Sequence, residues 1–225
     1  MKVIPGGRYQ SRQGKNHITM SPFRLGVTPV TWGIWKEYCQ SESKQLPLKP
    51  YWGYLDNHPV VNVSWIDIMG SDGKDDFCSW ASRITGRKLT LPSGTQWEYA
   101  SHGGNNDSVF PWGNTFDSNK LWYYIINTSE IQRTAPVDRT VSIFRNGYGL
   151  TDMVGNVSQW CSDYFSFGWL PSGKDPICVD VSPLRSCRGE CLYMNDTSFR
   201  CDSKLGFPPD FKGEYFGFRL SAGPN

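Results

Sequence analysis

Gly149-Leu150-Thr151-Asp152-Met153-Val154-Gly155-Asn156-Val157-Ser158-Gln159-Trp160, answered further down the chain by Gly217-Phe218-Arg219-Leu220, is the stretch on which the reading of the fold turns. Neither run has the period of a plain helix or strand. The first sets two glycines, an Asp, an Asn and a Trp at fixed offsets, which is loop chemistry that holds a backbone in place.

Around it lies a chain of 225 residues, enough for one sizeable core. Charge is nearly balanced at +2 and 20% of residues are charged, with no run of Lys or Arg, so there is no electrostatic case for nucleic acid. Aromatics make up 15% while the mean hydropathy is −0.48, the composition of a loop-rich fold whose rings fill gaps between irregular segments. The 23 glycines and 15 prolines agree, because both punctuate turns. No apolar stretch reaches the roughly 18 residues of a membrane span, and the first residues carry no signal-peptide pattern. The expectation is therefore a cytoplasmic or virion-associated protein, or a surface protein shorn of its leader.

Seven cysteines, Cys39, Cys78, Cys161, Cys178, Cys187, Cys191 and Cys201, include no C-x-x-C pair. Cys187, Cys191 and Cys201 have a spacing open to a metal or a disulfide, and buried free thiols are the favoured reading. His58 is one of three histidines, so a Cys/His metal site has little to draw on.

Local signals outline the first half. Val3 to Tyr9 reads as a strand entering a turn, and Phe23 to Thr31 as a second strand. Thr31 then caps a helix over Trp32–Cys39, with Trp35 and Tyr38 on one face. Ser64 with Asp67 forms a capping box for a second helix, interrupted at Gly70-Ser71-Asp72-Gly73 and resumed over Asp76–Ala81. Leu89 to Pro92 reads as a strand, and Ser93 opens a short helix carrying Trp97, Glu98 and Tyr99. Loops and short strands are expected from about residue 101 onward.

These landmarks resemble, in order, those of the formylglycine-generating-enzyme (sulfatase-modifying factor) family, a branch of the C-type lectin fold. The matching runs are Ile4-Pro5-Gly6-Gly7; Val30-Thr31 with Trp35 and Tyr38; His58-Pro59-Val60 with Val63-Ser64-Trp65; Leu91-Pro92-Ser93 with Trp97-Glu98-Tyr99-Ala100; Phe110-Pro111-Trp112-Gly113-Asn114; Thr134-Ala135-Pro136-Val137; Asn146-Gly147-Tyr148-Gly149-Leu150; and Pro209-Asp210 with Gly217-Phe218-Arg219. The resemblance implies one α+β domain over residues 1–225, with two or more helices around short antiparallel strands.

It also exposes departures. The family's G-N-V-W-E-W stands here as Gly155-Asn156-Val157-Ser158-Gln159-Trp160. Its calcium-binding members use the Glu of that motif, a side chain near Asp152 and intervening carbonyls. A weak calcium site at Asp152, Gly155, Val157 and Gln159 is therefore one expectation, and a hydrogen-bonded loop with Trp160 in the core is the favoured one. The family's oxygenases hold copper through two cysteines of the C-terminal loop. Those positions fall here on Met194 and Phe199 by one anchoring, or on Cys191 and Asp196 by another, so neither supplies two thiolates.

Between Arg188-Gly189 and Gly217-Phe218-Arg219 the frame holds, while the residues within it are aromatic and small polar. Leu192, Tyr193, Met194, Asn195, Asp196, Thr197, Ser203, Phe207, Phe211, Glu214, Tyr215 and Phe216 resemble a paratope, and Phe199 and Phe218 are expected in the core. This arrangement is similar to the variable proteins of diversity-generating retroelements, whose ligand-binding face lies in this segment, here 188–219. The leading expectation is a non-catalytic domain that binds a protein or other macromolecule. A metal-dependent oxidase of the formylglycine-generating type and a docking subunit of a larger complex are the alternatives.

Overall fold

The computed structural model describes residues 1–11, 16–71, 76–123, 133–139, 145–168, 170–191 and 198–224. The N-terminal run folds as two strands, β1 (Lys2–Ile4) and β2 (Gly7–Gln10), broken at the Pro5-Gly6 turn. Two more follow, β3 (His17–Met20) and β4 (Phe23–Leu25). The strand expected from Phe23 to Thr31 is thus cut short, and Thr31 makes only an isolated bridge to Pro59.

Helix α1 (Trp32–Ser41) starts at Thr31 as expected, but the Thr31 side chain makes no capping bond; its carbonyl accepts the Trp35 N–H at 3.0 Å. Trp35 and Tyr38 lie on the buried face with ring centroids 5.2 Å apart. Ser64 and Asp67 do close a reciprocal capping box on α2 (Trp65–Met69). Asp76 accepts the Ser79 N–H at the start of α3 (Phe77–Thr85), which ends at Gly86 in the left-handed conformation. Strand β5 (Leu89–Thr90) leads into α4 (Gly94–Ser101), capped by Ser93 with Gln96.

Beyond α4 the chain is mostly loop, with one turn of 3-10 helix at Ser118–Lys120. Strands β6 (Ser158–Tyr164), β7 (Gly173–Lys174), β8 (Arg185–Arg188), β9 (Lys204–Phe207), β10 (Phe216–Gly217) and β11 (Ser221–Ala222) complete the described elements. They form three sheets, ordered β1-β4-β11-β5, β10-β6-β8-β9 and β2-β3-β7. Not every pair is antiparallel, since β10 runs parallel to β6 and β3 parallel to β7.

The β10-β6-β8-β9 sheet positions the candidate site. Gln159 pairs with Arg188 and Trp160 with Cys187 across β6 and β8, and Arg188 pairs with Lys204 across β8 and β9. Alternation along β6 sends Trp160 into a cluster with α1, α3 and Phe218, and Cys161 into a second cluster with Trp97, Leu150, Met153 and Phe199. Trp160, Phe199 and Phe218 are fully buried, as the sequence led us to expect. Among the described residues no helix is long and apolar enough to cross a membrane.

Candidate ligand-binding face

The Asp152–Trp160 loop is a buried hydrogen-bond hub. Gln159 Oε1 accepts from Trp97 Nε1 at 3.1 Å and from Arg219 Nε at 2.5 Å, and Gln159 Nε2 donates to the Asp152 carbonyl at 2.6 Å. Arg219 donates in addition to the carbonyls of Thr151 (2.7 Å), Asp152 (2.9 Å) and Gly26 (3.0 Å). Its complete burial lowers its pKa to about 10, against the pull of Asp152. Asp152 is ion-paired with Arg139 and accepts from Asn156 Nδ2 at 3.2 Å; burial pushes its carboxyl up despite both partners. Asn156 also clasps Ala135 through both of its side-chain polar atoms.

This geometry bears on the calcium expectation. Asp152, Gly155, Val157 and Gln159 do share one loop, but their oxygens are engaged by N–H groups. The Asp152 carboxylate faces a guanidinium, its carbonyl takes Arg219 and Gln159, and the Gly155 carbonyl accepts the Val157 N–H at 2.8 Å. Gln159 turns its nitrogen, not an oxygen, toward Asp152. As arranged, this donor set does not fit a hard cation, which needs convergent oxygens and negative charge. Among the described residues no three of His, Cys, Asp and Glu converge.

A second hub anchors the C-terminal segment. Arg188 and Glu98, both almost fully buried, pair at 3.1 Å across β8 and α4. Arg188 Nη1 also donates to the carbonyls of Asp202 and Ser203, each at 3.1 Å. Beside it Gly189 adopts φ +83°, and a Cβ there would lie 2.8 Å from the Met153 carbonyl oxygen. The Gly155 N–H is shared between the carbonyls of Gly189 (2.8 Å) and Glu190 (2.9 Å), which fixes the backbone leaving β8.

All seven cysteines are buried free thiols. Cys187 sits in the Trp160 cluster, and burial holds its thiol well above the usual range. Cys191 Sγ lies 3.2 Å from Ser158 Oγ and 3.2 Å from the Tyr215 carbonyl, with its pKa raised to about 12 by burial. Cys201, hydrogen-bonded to Ser101 and Ser108, is likewise raised to about 12. Cys191 and Cys201 thus have separate hydrogen-bond partners, and burial keeps all three thiols protonated, whereas soft metals are held by thiolates.

Of the residues expected to bind ligand, Leu192, Tyr193, Met194, Asn195, Asp196 and Thr197 lie outside the described residues. Ser203, Phe207, Phe211, Glu214, Tyr215 and Phe216 are all half-buried. Three of them assemble: Phe207 and Phe211 stack at 4.8 Å, and Phe216 meets Phe207 edge-on at 4.7 Å and Phe211 at 4.9 Å. The trio rests on Trp160, whose centroid is 6.5 Å from Phe207 and 6.2 Å from Phe216. Tyr215 turns instead to Trp52, 5.3 Å away, so Trp52 joins this surface although no local motif marks it. Glu190, buried at 6% exposure beside Ser203, is a second residue that sequence reasoning passed over.

Comparison with known proteins agrees with this architecture. The model of the sulfatase-modifying factor enzyme 1-like domain matches residues 1–222. The formylglycine-generating enzyme of Mus musculus is 33% identical over 94% of this chain, which spans 55% of that enzyme's length. The inactive C-alpha-formylglycine-generating enzyme 2 of Mus musculus is 28% identical over 99% of this chain and 85% of its own. Among solved structures, PvdO from Pseudomonas aeruginosa superimposes with a TM-score of 0.82 at 21% identity, covering 98% of this chain and 93% of its own. Treponema denticola variable protein 1 gives 0.78 at 20% identity, covering 100% and 95%. Relatives in sequence therefore include both a named enzyme and a named inactive form, and the fold is shared with a variable protein. By extent of match and order of motifs, the chain belongs to the sulfatase-modifying factor enzyme 1-like family.

Proposed function

We propose that this protein is a non-catalytic ligand-binding domain that presents its C-terminal segment to a protein or other macromolecular ligand, in the manner of the retroelement variable proteins it resembles. The observation that carries this reading is the half-buried trio Phe207, Phe211 and Phe216. Three rings packed on one another and seated on Trp160 offer a large, rigid contact area at little entropic cost. Beneath them the backbone is locked by the Gln159–Arg219 and Arg188–Glu98 hubs, so side chains of the segment can vary without moving the frame. The state of the thiols supports the same reading. Cys187, Cys191 and Cys201 are buried and protonated, and Cys191 and Cys201 are hydrogen-bonded to different groups, an environment of inert rather than reactive cysteines.

The test is a random-peptide display selection on the wild-type chain, with binders then measured on Phe211→Ala/Tyr215→Ala. Hot-spot aromatics predict a loss of about tenfold or more in affinity, with thermal unfolding confirming that the variant is folded. Equal affinity for wild type and variant, or conversion of a cysteine peptide to its aldehyde by the wild type, overturns the reading.

A further inference from the structure

Where β8 ends, the chain buries a glutamate and leaves one of its carboxylate oxygens without a hydrogen bond. Glu190 is 6% exposed, and its Oε2 is fully buried without a hydrogen bond. A buried carboxylate oxygen without a hydrogen bond is costly and calls for an explanation, such as a ligand group that it binds. Burial pushes its carboxyl up to about 7. The backbone on either side is fixed, by the Gly155 N–H on the Glu190 carbonyl and by the close approach of Gly189 to Met153. The backbone that carries the carboxyl is therefore fixed.

Glu190 lines an open hollow of about 470 Å³ together with Phe165, Leu184, Ser203, Lys204 and Leu205. That volume lies within the roughly 300–1,000 Å³ of small-ligand and side-chain sites. The rim carries Phe167, 92% exposed and packed edge-on against Phe165 at 4.9 Å. Aromatic faces and leucines at the mouth with a carboxylate at depth suit an aliphatic stem that ends in a cation. Lys204 already illustrates the chemistry: its Nζ lies 5.9 Å from the Phe165 centroid and donates to the Gly168 carbonyl.

We infer that this hollow receives a lysine or arginine side chain of the protein ligand, with the ammonium or guanidinium on Glu190 and the stem against Phe165 and Leu205. The inference rests on the binding reading above and names the chemistry of one contact within it. Ser203 belongs both to the segment read as binding and to the lining of the hollow. Lys204 stands at the mouth as a competing positive charge.

The experiment uses the full chain and a random-peptide display library, scoring enrichment of Arg and Lys among the selected peptides. Wild type is expected to enrich basic peptides. Glu190→Gln, which keeps the shape and removes the charge, is expected to bind those peptides about tenfold or more weakly. It should keep the melting temperature of wild type or exceed it, because no partner is stranded. Lys204→Met is expected to bind them as well as wild type or better. Peptides whose affinity depends on Phe211 and Tyr215 but which show no basic enrichment, or equal binding by Glu190→Gln, overturn this inference and leave the binding reading standing. Loss of binding in Lys204→Met also overturns it, since that marks an acidic ligand. Failure of the wild type to select any peptide overturns both.

Discussion

Gln159 Oε1 accepts the Nε–H of Arg219 at 2.5 Å and the indole N–H of Trp97 at 3.1 Å, which joins the Asp152–Trp160 loop to the C-terminal strands and to α4 through one side chain. Since both partners are obligate donors, they fix which end of the amide is oxygen. The nitrogen is left to close on the Asp152 carbonyl. A glutamate in this place would set an oxygen against that carbonyl, which is where a bridging cation becomes useful. The amide does the same bridging by hydrogen bonding.

Gln159→Leu is therefore expected to be severely destabilising. It leaves the buried Arg219 Nε–H and Trp97 N–H without their acceptor and takes one of the two donors from the Asp152 carbonyl, at a cost of about 3–5 kcal/mol in a denaturant titration.

Calcium is expected to leave the melting temperature unchanged at millimolar concentration. The Asp152 carboxylate is already paired with Arg139, and the loop carbonyls are already taken by N–H donors. A calcium-dependent rise in thermal unfolding temperature, read by calorimetry, would contradict that account of the loop.

Arg188 and Glu98 form a pair in which each is needed because the other is present. Arg188→Met leaves a buried carboxylate and is expected to cost about 3–5 kcal/mol. Arg188→Met/Glu98→Met is expected to recover part of that loss. Urea unfolding of the two singles and the double gives the coupling directly.

Glu190 should imprint its own pH dependence. Its folded pKa, raised by burial to about 7, exceeds that of a free glutamate at about 4.3. Between those values the folded chain binds a proton that the unfolded chain lacks. Its contribution to stability is therefore present at low pH, declines as pH rises through this window, and is gone above it. Glu190→Gln should match wild type near pH 4 and exceed it at pH 8 by about 1–3 kcal/mol, measured by denaturant unfolding across the range.

Gly189→Ala is expected to cost about 2–4 kcal/mol, because φ is +83° and the new Cβ would press on the Met153 carbonyl at 2.8 Å. Gly86→Ala is the control. It shares a positive φ, +64°, but opens onto free space, so about 1 kcal/mol is expected.

How far the sequence could be read depended on how local the signal was. The Ser64–Asp67 capping box is short-range and was legible, whereas Asp76, read as the first residue of the resumed helix, proves to be its cap. Strand β3 was not, since His17–Met20 carries no turn signal and earns its place by pairing with β2 and with β7 at Gly173 and Lys174, far along the chain. At Gln159 the sequence showed a lost charge, while the structure adds its bond to Arg219, 60 positions away. Glu190 was equally visible as a letter. Its meaning required knowing that the backbone after β8 turns it into a hollow shared with Phe165 and Lys204.

The central claim is that this face binds without catalysing, and copper(I) titration of the reduced full chain against a competing chelator tests it most directly. The account predicts no stoichiometric high-affinity binding, because Cys187, Cys191 and Cys201 are buried, protonated thiols, and Cys191 and Cys201 are each engaged by different groups. One equivalent of tightly held copper(I), lost in Cys191→Ser, would contradict it and restore an oxidase.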